Sequence, residues 1–162
     1  MDTRSKILSR SGLCGVLEEH RREGRSIVLA NGIFDLLHVG HVRYLKAARA
    51  EGDILVVAIN SDASTRALKG EGRPILTERA RAALVAALGC VDYVVIFDEL
   101  DVNSLLSDLR PNVHAKGTDY TAETVPERDA VRECGGRVEI VGDPKNHSVT
   151  EMIRSRFGSR LP

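Results

Sequence analysis

The amino-acid sequence predicts a doubly wound α/β fold, a parallel five-stranded sheet with helices on both faces. Two observations carry the prediction. Apolar runs of strand length, rich in Val and Ile, alternate along the chain with stretches of helical periodicity. The runs are nearly continuous rather than alternating apolar and polar, as in strands covered on both sides. Across 162 residues the apolar share is 43% and the charged share 28%, which excludes a disordered tail, a collagen-like rod and a low-complexity segment.

The elements follow in order. Residues 13–22 read as a helix packed outside the core. Residues 26–31 (SIVLAN) form the first strand, ending at Asn-Gly. Residues 39–50 place Val42, Leu45 and Arg49 about one turn apart and form a helix. Gly52 and Asp53 lead into ILVVAIN, the second strand, ending at Asn60. Residues 61–74 (SDASTRALKGEGRP) are polar and contain glycine, and read as a mobile connection with at most a short helix. Residues 77–88 are an alanine-rich helix with Leu84, Val85 and Leu88 on one side, stopped by Gly89. Residues 92–97 are the third strand, 102–109 a helix ended by Pro111, and 113–116 a short fourth strand. Thr124 and Glu127 have the spacing of a capping box, with Pro126 in the first turn of a helix that stops at Gly135-Gly136. Residues 137–141 are the fifth strand and 148–157 the last helix. Repeated strand–helix–strand units imply right-handed crossovers. With no repeat and no linker, one domain is expected over residues 1–162, its core about 6–157.

Charge and cysteine use narrow the function. The 23 Lys and Arg balance 23 Asp and Glu. Broad attraction to nucleic acid or an anionic membrane is therefore not expected, although a local basic pocket is compatible. Cys14, Cys90 and Cys134 lie far apart without a CxxC pair, so neither a disulfide framework nor a Cys-based zinc site is expected. The start, MDTRSKILSRSG, lacks the apolar run of a secretory signal, and no apolar stretch approaches the ~20 residues of a membrane span. The expected location is the cytoplasm.

Ligands of open parallel sheets sit at the carboxyl ends of strands where strand order reverses, so the polar residues after each strand are informative. NGIFDLLHVGH (31–41) follows the first strand. Gly32 is expected to let a ligand approach the backbone, and Gly40 to sit in the first helical turn. His38 and His41, three apart, share one helix face, so their imidazoles and the free amides of the helix start converge on one point. That geometry suits an anionic phosphate. A lone HxxH is equally a pair of capping or solvated histidines in a strand-to-helix turn. As a metal pair it has no third ligand at recognisable spacing, and no metal site is expected among the side chains.

Here the sequence resembles the HxGH nucleotidyltransferase superfamily, in which a phosphate oxygen attacks the α-phosphorus of a nucleoside triphosphate. The resemblance runs from about Lys6 to Phe157. Within it, NSDASTRALKGEGRPI, VDYVVIF and KGTDY are most similar to the adenylyltransferase domain of heptose 1-phosphate nucleotidyltransferases, without the sugar-kinase domain fused to it in some bacteria. The resemblance implies a Rossmann-like fold and a homodimer. It also implies transfer of AMP from ATP to D-glycero-D-manno-heptose 1-phosphate, giving ADP-heptose and pyrophosphate for lipopolysaccharide or related glycan assembly. The expected cofactor is Mg²⁺, held mainly by the triphosphate.

The resemblance also implies a residue set. His38, His41, Lys69 and Arg81 are expected to be catalytic. Asn31, Gly32, Ile33, Phe34 and Gly40, together with the two histidines, are expected to contact the nucleotide. Lys116, Gly117 and Asp119 follow the fourth strand, with Asp119 reaching ribose or base; a plain turn is the alternative for Thr118 and Tyr120. Ser148 and Thr150 resemble the family's (I/C)STT phosphate element, with Val149 replacing one Thr, and Ser148 with Glu151 also makes a capping box. Asp35, Lys69 and Arg73 are expected to bind the acceptor substrate. Lys69 and Arg73 lie on a glycine-flanked loop that could close over phosphates or be simply solvated. Arg79 and Arg81 oppose the dipole of the helix they begin, so at least one should have an anionic partner, Arg81 by alignment and Arg79 exposed. His20, His114 and His147 read as surface, strand-end and loop residues, and the cysteines as small buried or inert side chains.

Other readings stay open. A glycerol-3-phosphate cytidylyltransferase would carry an RTEGISTT-like stretch, whereas residues 143–150 are DPKNHSVT, without its arginine. An archaeal-type FAD synthetase and a non-catalytic nucleotide-sensing module are further alternatives. Ile33 stands where the heptose enzymes usually have Cys, and no named residue reads adenine.

Overall fold

The computed structural model describes residues 3–143 of the chain. A 3-10 turn (Thr3–Lys6) precedes α1 (Arg10–Arg22), β1 (Ile27–Gly32), α2 (Val39–Arg49), β2 (Ile54–Asn60), α3 (Asp62–Lys69) and α4 (Glu78–Ala86). There follow β3 (Tyr93–Phe97), α5 (Asn103–Leu109), β4 (Val113–Lys116), α6 (Arg128–Glu133) and β5 (Arg137–Ile140). The helix expected at 148–157 lies outside the described residues.

The strands form one parallel sheet in the order β3-β2-β1-β4-β5, as the doubly wound prediction requires. The chain winds outward from β1 to β3, then passes back over β1 to add β4 and β5. Strand order therefore reverses between β1 and β4, and a crevice opens at their carboxyl ends.

Period-two alternation sorts the strand side chains into two layers. Val28, Ala30, Leu55, Val57 and Ile59 meet Leu45 and Ala48 of α2 and Ala82, Val85 and Ala86 of α4. Ile27, Leu29, Ile54, Val56 and Ala58 meet Leu13 and Leu17 of α1, Leu105, Leu106 and Leu109 of α5, and Val131 of α6. All seven residues of β2 are buried, so its unbroken apolar run is that of a strand covered on both sides. The outer edge of β3 is covered too, because Ile7 bridges to Val94 and the Leu8 amide donates to the Val94 carbonyl at 2.9 Å.

Two elements differ from expectation, the first helix and the start of α6. The first helix does not pack outside the core: Leu13 and Leu17, four apart and so on one face, are fully buried in the second layer. It also starts earlier, where Ser9 Oγ accepts the Gly12 amide. Residues 61–74 hold the short helix that the sequence allowed, α3, where Ser61 Oγ accepts the Ser64 amide at 3.1 Å and Ser64 Oγ donates to the Glu99 carbonyl at 2.8 Å. Its buried polar residues are thereby hydrogen-bonded. The box expected at Thr124 and Glu127 does not form. Thr124 Oγ1 accepts the Thr121 amide in a preceding turn, Glu127 is drawn to Lys116, and α6 begins at Arg128 without a side-chain cap.

Leu17→Ala should lower unfolding stability by about 2–5 kcal/mol, whereas Leu84→Ala, at a 45% exposed position, should change it far less. Urea midpoints of the two variants decide whether α1 belongs to the core.

Candidate active site

A cleft of about 720 Å³ opens over the carboxyl ends of the strands. Its wall begins at Asn31 and Gly32, continues through Phe34, and reaches the first turn of α2. Phe34 has a left-handed backbone (φ 50°), and its buried ring lies over Gly32. A Cβ on Gly32 would stand 3.0 Å from that ring, so glycine is what lets Phe34 pack here while the Gly32 backbone borders the cleft.

His38 is the N-cap of α2, and its Nδ1 accepts the Gly40 amide at 3.1 Å. Acceptance there requires a bare Nδ1 and puts the proton of the neutral ring on Nε2. Gly40 serves this cap sterically, since a Cβ would come within 2.9 Å of the His38 ring. The His41 ring stacks on His38 with centroids 3.8 Å apart, and Phe34 meets His41 edge-on at 5.3 Å. The paired imidazoles are thus held by packing and by a helix cap.

Cations line the same cleft. Lys69 is exposed on the last turn of α3 and has no protein partner among the described residues. Arg73 is anchored through Nε to Asp35 at 3.1 Å, and its terminal nitrogens have no protein partner among the described residues. Asp35 departs from its expected role. It is 4% exposed and accepts the Ile75 and Leu76 amides at 2.8 and 3.0 Å besides pairing with Arg73, so its carboxylate holds the loop rather than standing open to a sugar.

Arg81 departs further from expectation. It is fully buried and lies off the cleft wall. Its Nε donates to the Leu76 carbonyl at 3.0 Å, Nη1 to the carbonyls of Ile33 (2.6 Å) and Asn60 (2.8 Å), and Nη2 to Asp62 at 2.8 Å. Four of its five N–H donors are thus spent inside the protein. Its anionic partner is Asp62, not a phosphate, and Arg79 is exposed as expected.

The opposite wall comes from β4. Lys116 is 7% exposed, with Nζ 3.2 Å from Glu127, 3.1 Å from Asn31 Oδ1 and 5.2 Å from the Tyr120 ring centre. His114 lies inside β4, fully buried, rather than at a strand end, and its Nε2 is 3.1 Å from Asn31 Oδ1. Burial, reinforced by Lys116, pushes its pKa down to about 3. Burial likewise raises that of Tyr44, whose hydroxyl donates to the Ala115 carbonyl at 2.8 Å.

Thus Asn31, Gly32, Ile33, Phe34, Asp35, His38, Gly40, His41, Lys69, Arg73, Lys116, Gly117 and Asp119 all border one cleft. Arg81 does not, and Ser148 and Thr150 lie outside the described residues. The sequence reading missed Arg43, Tyr44, Asn60 and Glu127, which also line it. Tyr44 was detectable as the position one turn beyond His41; Glu127 was hidden by its apparent capping role.

A cleft at the switch point of a doubly wound sheet, with stacked imidazoles at a helix start and Lys69 and Arg73 on its wall, defines a Rossmann-like domain that handles phosphate esters. The comparisons narrow that class. The chain belongs to the cytidylyltransferase-like family of nucleotidyltransferases, whose model matches residues 29–159. It is 52% identical to the bifunctional protein HldE of Syntrophotalea carbinolica over 92% of this chain and 30% of that protein. It is 51% identical to the bifunctional protein HldE of Geobacter metallireducens over 94% of this chain and 31% of that protein. The chain therefore spans about a third of the length of these relatives. A solved structure, the lipopolysaccharide core biosynthesis protein from Thermoplasma volcanium GSS1, is 31% identical, with a TM-score of 0.64 over 76% of this chain and all of that one. Among the described residues no helix is long and apolar enough to cross a membrane.

Removing Arg81 strands a carboxylate and three carbonyls. Arg81→Ala should cost about 3–5 kcal/mol of stability, while Arg79→Ala stays within about 0.5 kcal/mol; urea unfolding of both variants checks this. His114 predicts an acid-side effect. Unfolded His114 takes up a proton near 6.5 that the folded chain refuses until about 3, so its contribution is complete above 6.5 and is lost as pH falls through that window. His114→Leu should therefore flatten the stability loss by roughly 1.4 kcal/mol per pH unit there, read as urea midpoints compared between about pH 7 and pH 5.

Proposed function

We propose that this chain transfers AMP from ATP to D-glycero-D-manno-heptose 1-phosphate, giving ADP-heptose and pyrophosphate. The observation that carries the reading is the stacked His38–His41 pair at the start of α2, lining one cleft together with Lys69 and Arg73. The KGTDY and NSDAST segments support the heptose branch, as does about 50% identity to proteins named HldE over more than nine-tenths of this chain.

In this reaction an oxygen of the acceptor phosphate attacks the α-phosphorus. The new O–P bond forms as the bond to the β-phosphate oxygen breaks, and its electron pair leaves with pyrophosphate. The nucleophile is already an anion, so no side chain need remove a proton. What remains is alignment and stabilisation of charge on the phosphate oxygens. His38 Nε2–H and the neighbouring His41 supply donors at that centre, while Lys69 and Arg73 offset the charge of the phosphates.

Mg²⁺ belongs to the same proposal. Cleft carboxylates Asp35, Glu127 and Asp143 are already engaged by Arg73, Lys116 and Arg43, a donor set that fits an ion carried by the triphosphate rather than caged by the protein. When bound with the nucleotide it neutralises phosphate charge. Cytoplasmic location and a homodimer complete the reading, resting on the substrate chemistry and the family resemblance.

Pyrophosphate release, coupled to a pyrophosphatase and a phosphate stain, tests the reading over several nucleoside triphosphates and acceptors. Release with ATP and the heptose 1-phosphate supports it. Release with CTP and glycerol 3-phosphate moves the chain to the cytidylyltransferases, release with ATP and FMN to the FAD synthetases, and silence with every pair to a binding module. His41→Ala should lower turnover by at least ~100-fold with melting unchanged.

A further inference from the structure

His114 is a costly residue for its position. Inside β4, between Val113 and Ala115 and covered on both faces, an apolar β-branched side chain would satisfy the strand. The imidazole instead leaves Nδ1 buried with no hydrogen-bond partner among the described residues, a loss that packing does not explain. Among the described residues its side chain makes one hydrogen bond, Nε2 to Asn31 Oδ1 at 3.1 Å.

Lys116 makes the same contact. Leu29 lies opposite His114 and Ala30 opposite Ala115, so Asn31 comes level with the end of β4, where His114 and Lys116 project from one face. Lys116 Nζ is 3.1 Å from the same Oδ1. Ammonium donates and cannot accept, so the atom of Asn31 facing it is the oxygen and not the amide nitrogen. The same oxygen requires His114 Nε2 to carry its proton, which leaves Nδ1 bare and agrees with that atom's lack of a partner. Glu127, 7% exposed and 3.2 Å from Nζ, holds Lys116 in place.

Two donors occupy both lone pairs of Oδ1. The carboxamide cannot flip, and its nitrogen, with two N–H bonds, is turned away from the pair. Asn31 is half-buried and forms part of the cleft wall, at the switch point beside Gly32. We propose that His114 is a positioning residue: with Lys116 it locks Asn31 so that the carboxamide N–H bonds face an oxygen of the bound nucleotide. The proposal rests on the reading of this cleft as a nucleotide site. A flipped Asn31 would offer that oxygen an acceptor and repel it.

The test uses the full chain, with ATP affinity measured by calorimetry in the absence of acceptor and steady-state constants measured by pyrophosphate release. His114→Leu should weaken ATP binding and raise its KM about tenfold, with kcat nearly unchanged and melting equal or higher. His114→Gln, whose amide N–H reaches the same oxygen, should recover ATP affinity to within about threefold. In an Asn31→Ala background, His114→Leu should change ATP affinity less than about twofold. His114→Val serves as the second apolar variant should the leucine not fold.

Undiminished ATP affinity in a folded apolar variant overturns the proposal. So does an equal loss in both backgrounds, because His114 would then act without Asn31. Failure of the proposed reaction is separable: a wild-type chain that binds ATP but transfers it to no acceptor loses the activity, and the calorimetric cycle still decides the role of His114. A wild-type chain that binds no ATP overturns both.

Discussion

One buried guanidinium holds the geometry of the cleft. Arg81 binds the carbonyls of Ile33, Asn60 and Leu76 and the carboxylate of Asp62, which belong to the loop after β1, the end of β2, the segment before α4 and the start of α3. Burying a charge costs several kcal/mol unless its donors are met, and here they are met by groups from four separate segments. The contact with Ile33 fixes the loop leading to His38; those with Asp62 and Leu76 fix the elements bearing Lys69 and Arg73. The distance between the imidazole wall and the cationic wall is therefore set from beneath by a residue that faces neither.

The same economy recurs across the site. Asp35 meets Arg73 and two amides, Glu127 meets Lys116, and Asp143 meets Arg43 at 3.3 Å. These three carboxylates thus work as braces, while Lys69 has no partner among the described residues. In a chain with balanced formal charge, three of the acids lining the cleft, Asp35, Glu127 and Asp143, are each paired with a cation of the same cleft.

Much of this was visible in the sequence. Strand runs and their order of appearance implied five parallel strands, and the segment 31–41 named the residues of the imidazole wall before any geometry was known. Where the reading erred, the cause was a long-range partner. Thr124 and Glu127 have ideal capping spacing, yet Glu127 is claimed by Lys116, eleven residues back. The first helix reads as outer because only Leu13, Val16 and Leu17 are aliphatic, although Leu13 and Leu17 are fully buried against the sheet. His114 was passed over because a single histidine in a short strand carries no local pattern.

By itself, then, the sequence determined the elements, the parallel sheet and the family, because periodicity, β-branching and a compact motif are written in neighbouring residues. Only the tertiary structure decided which polar groups meet: that Arg81 braces rather than reaches the cleft, that Asp35 is occupied, and that His114 and Lys116 converge on Asn31. Such choices depend on residues dozens of positions apart competing for the same buried donor or acceptor. That competition is resolved only when the strands pair and water is excluded.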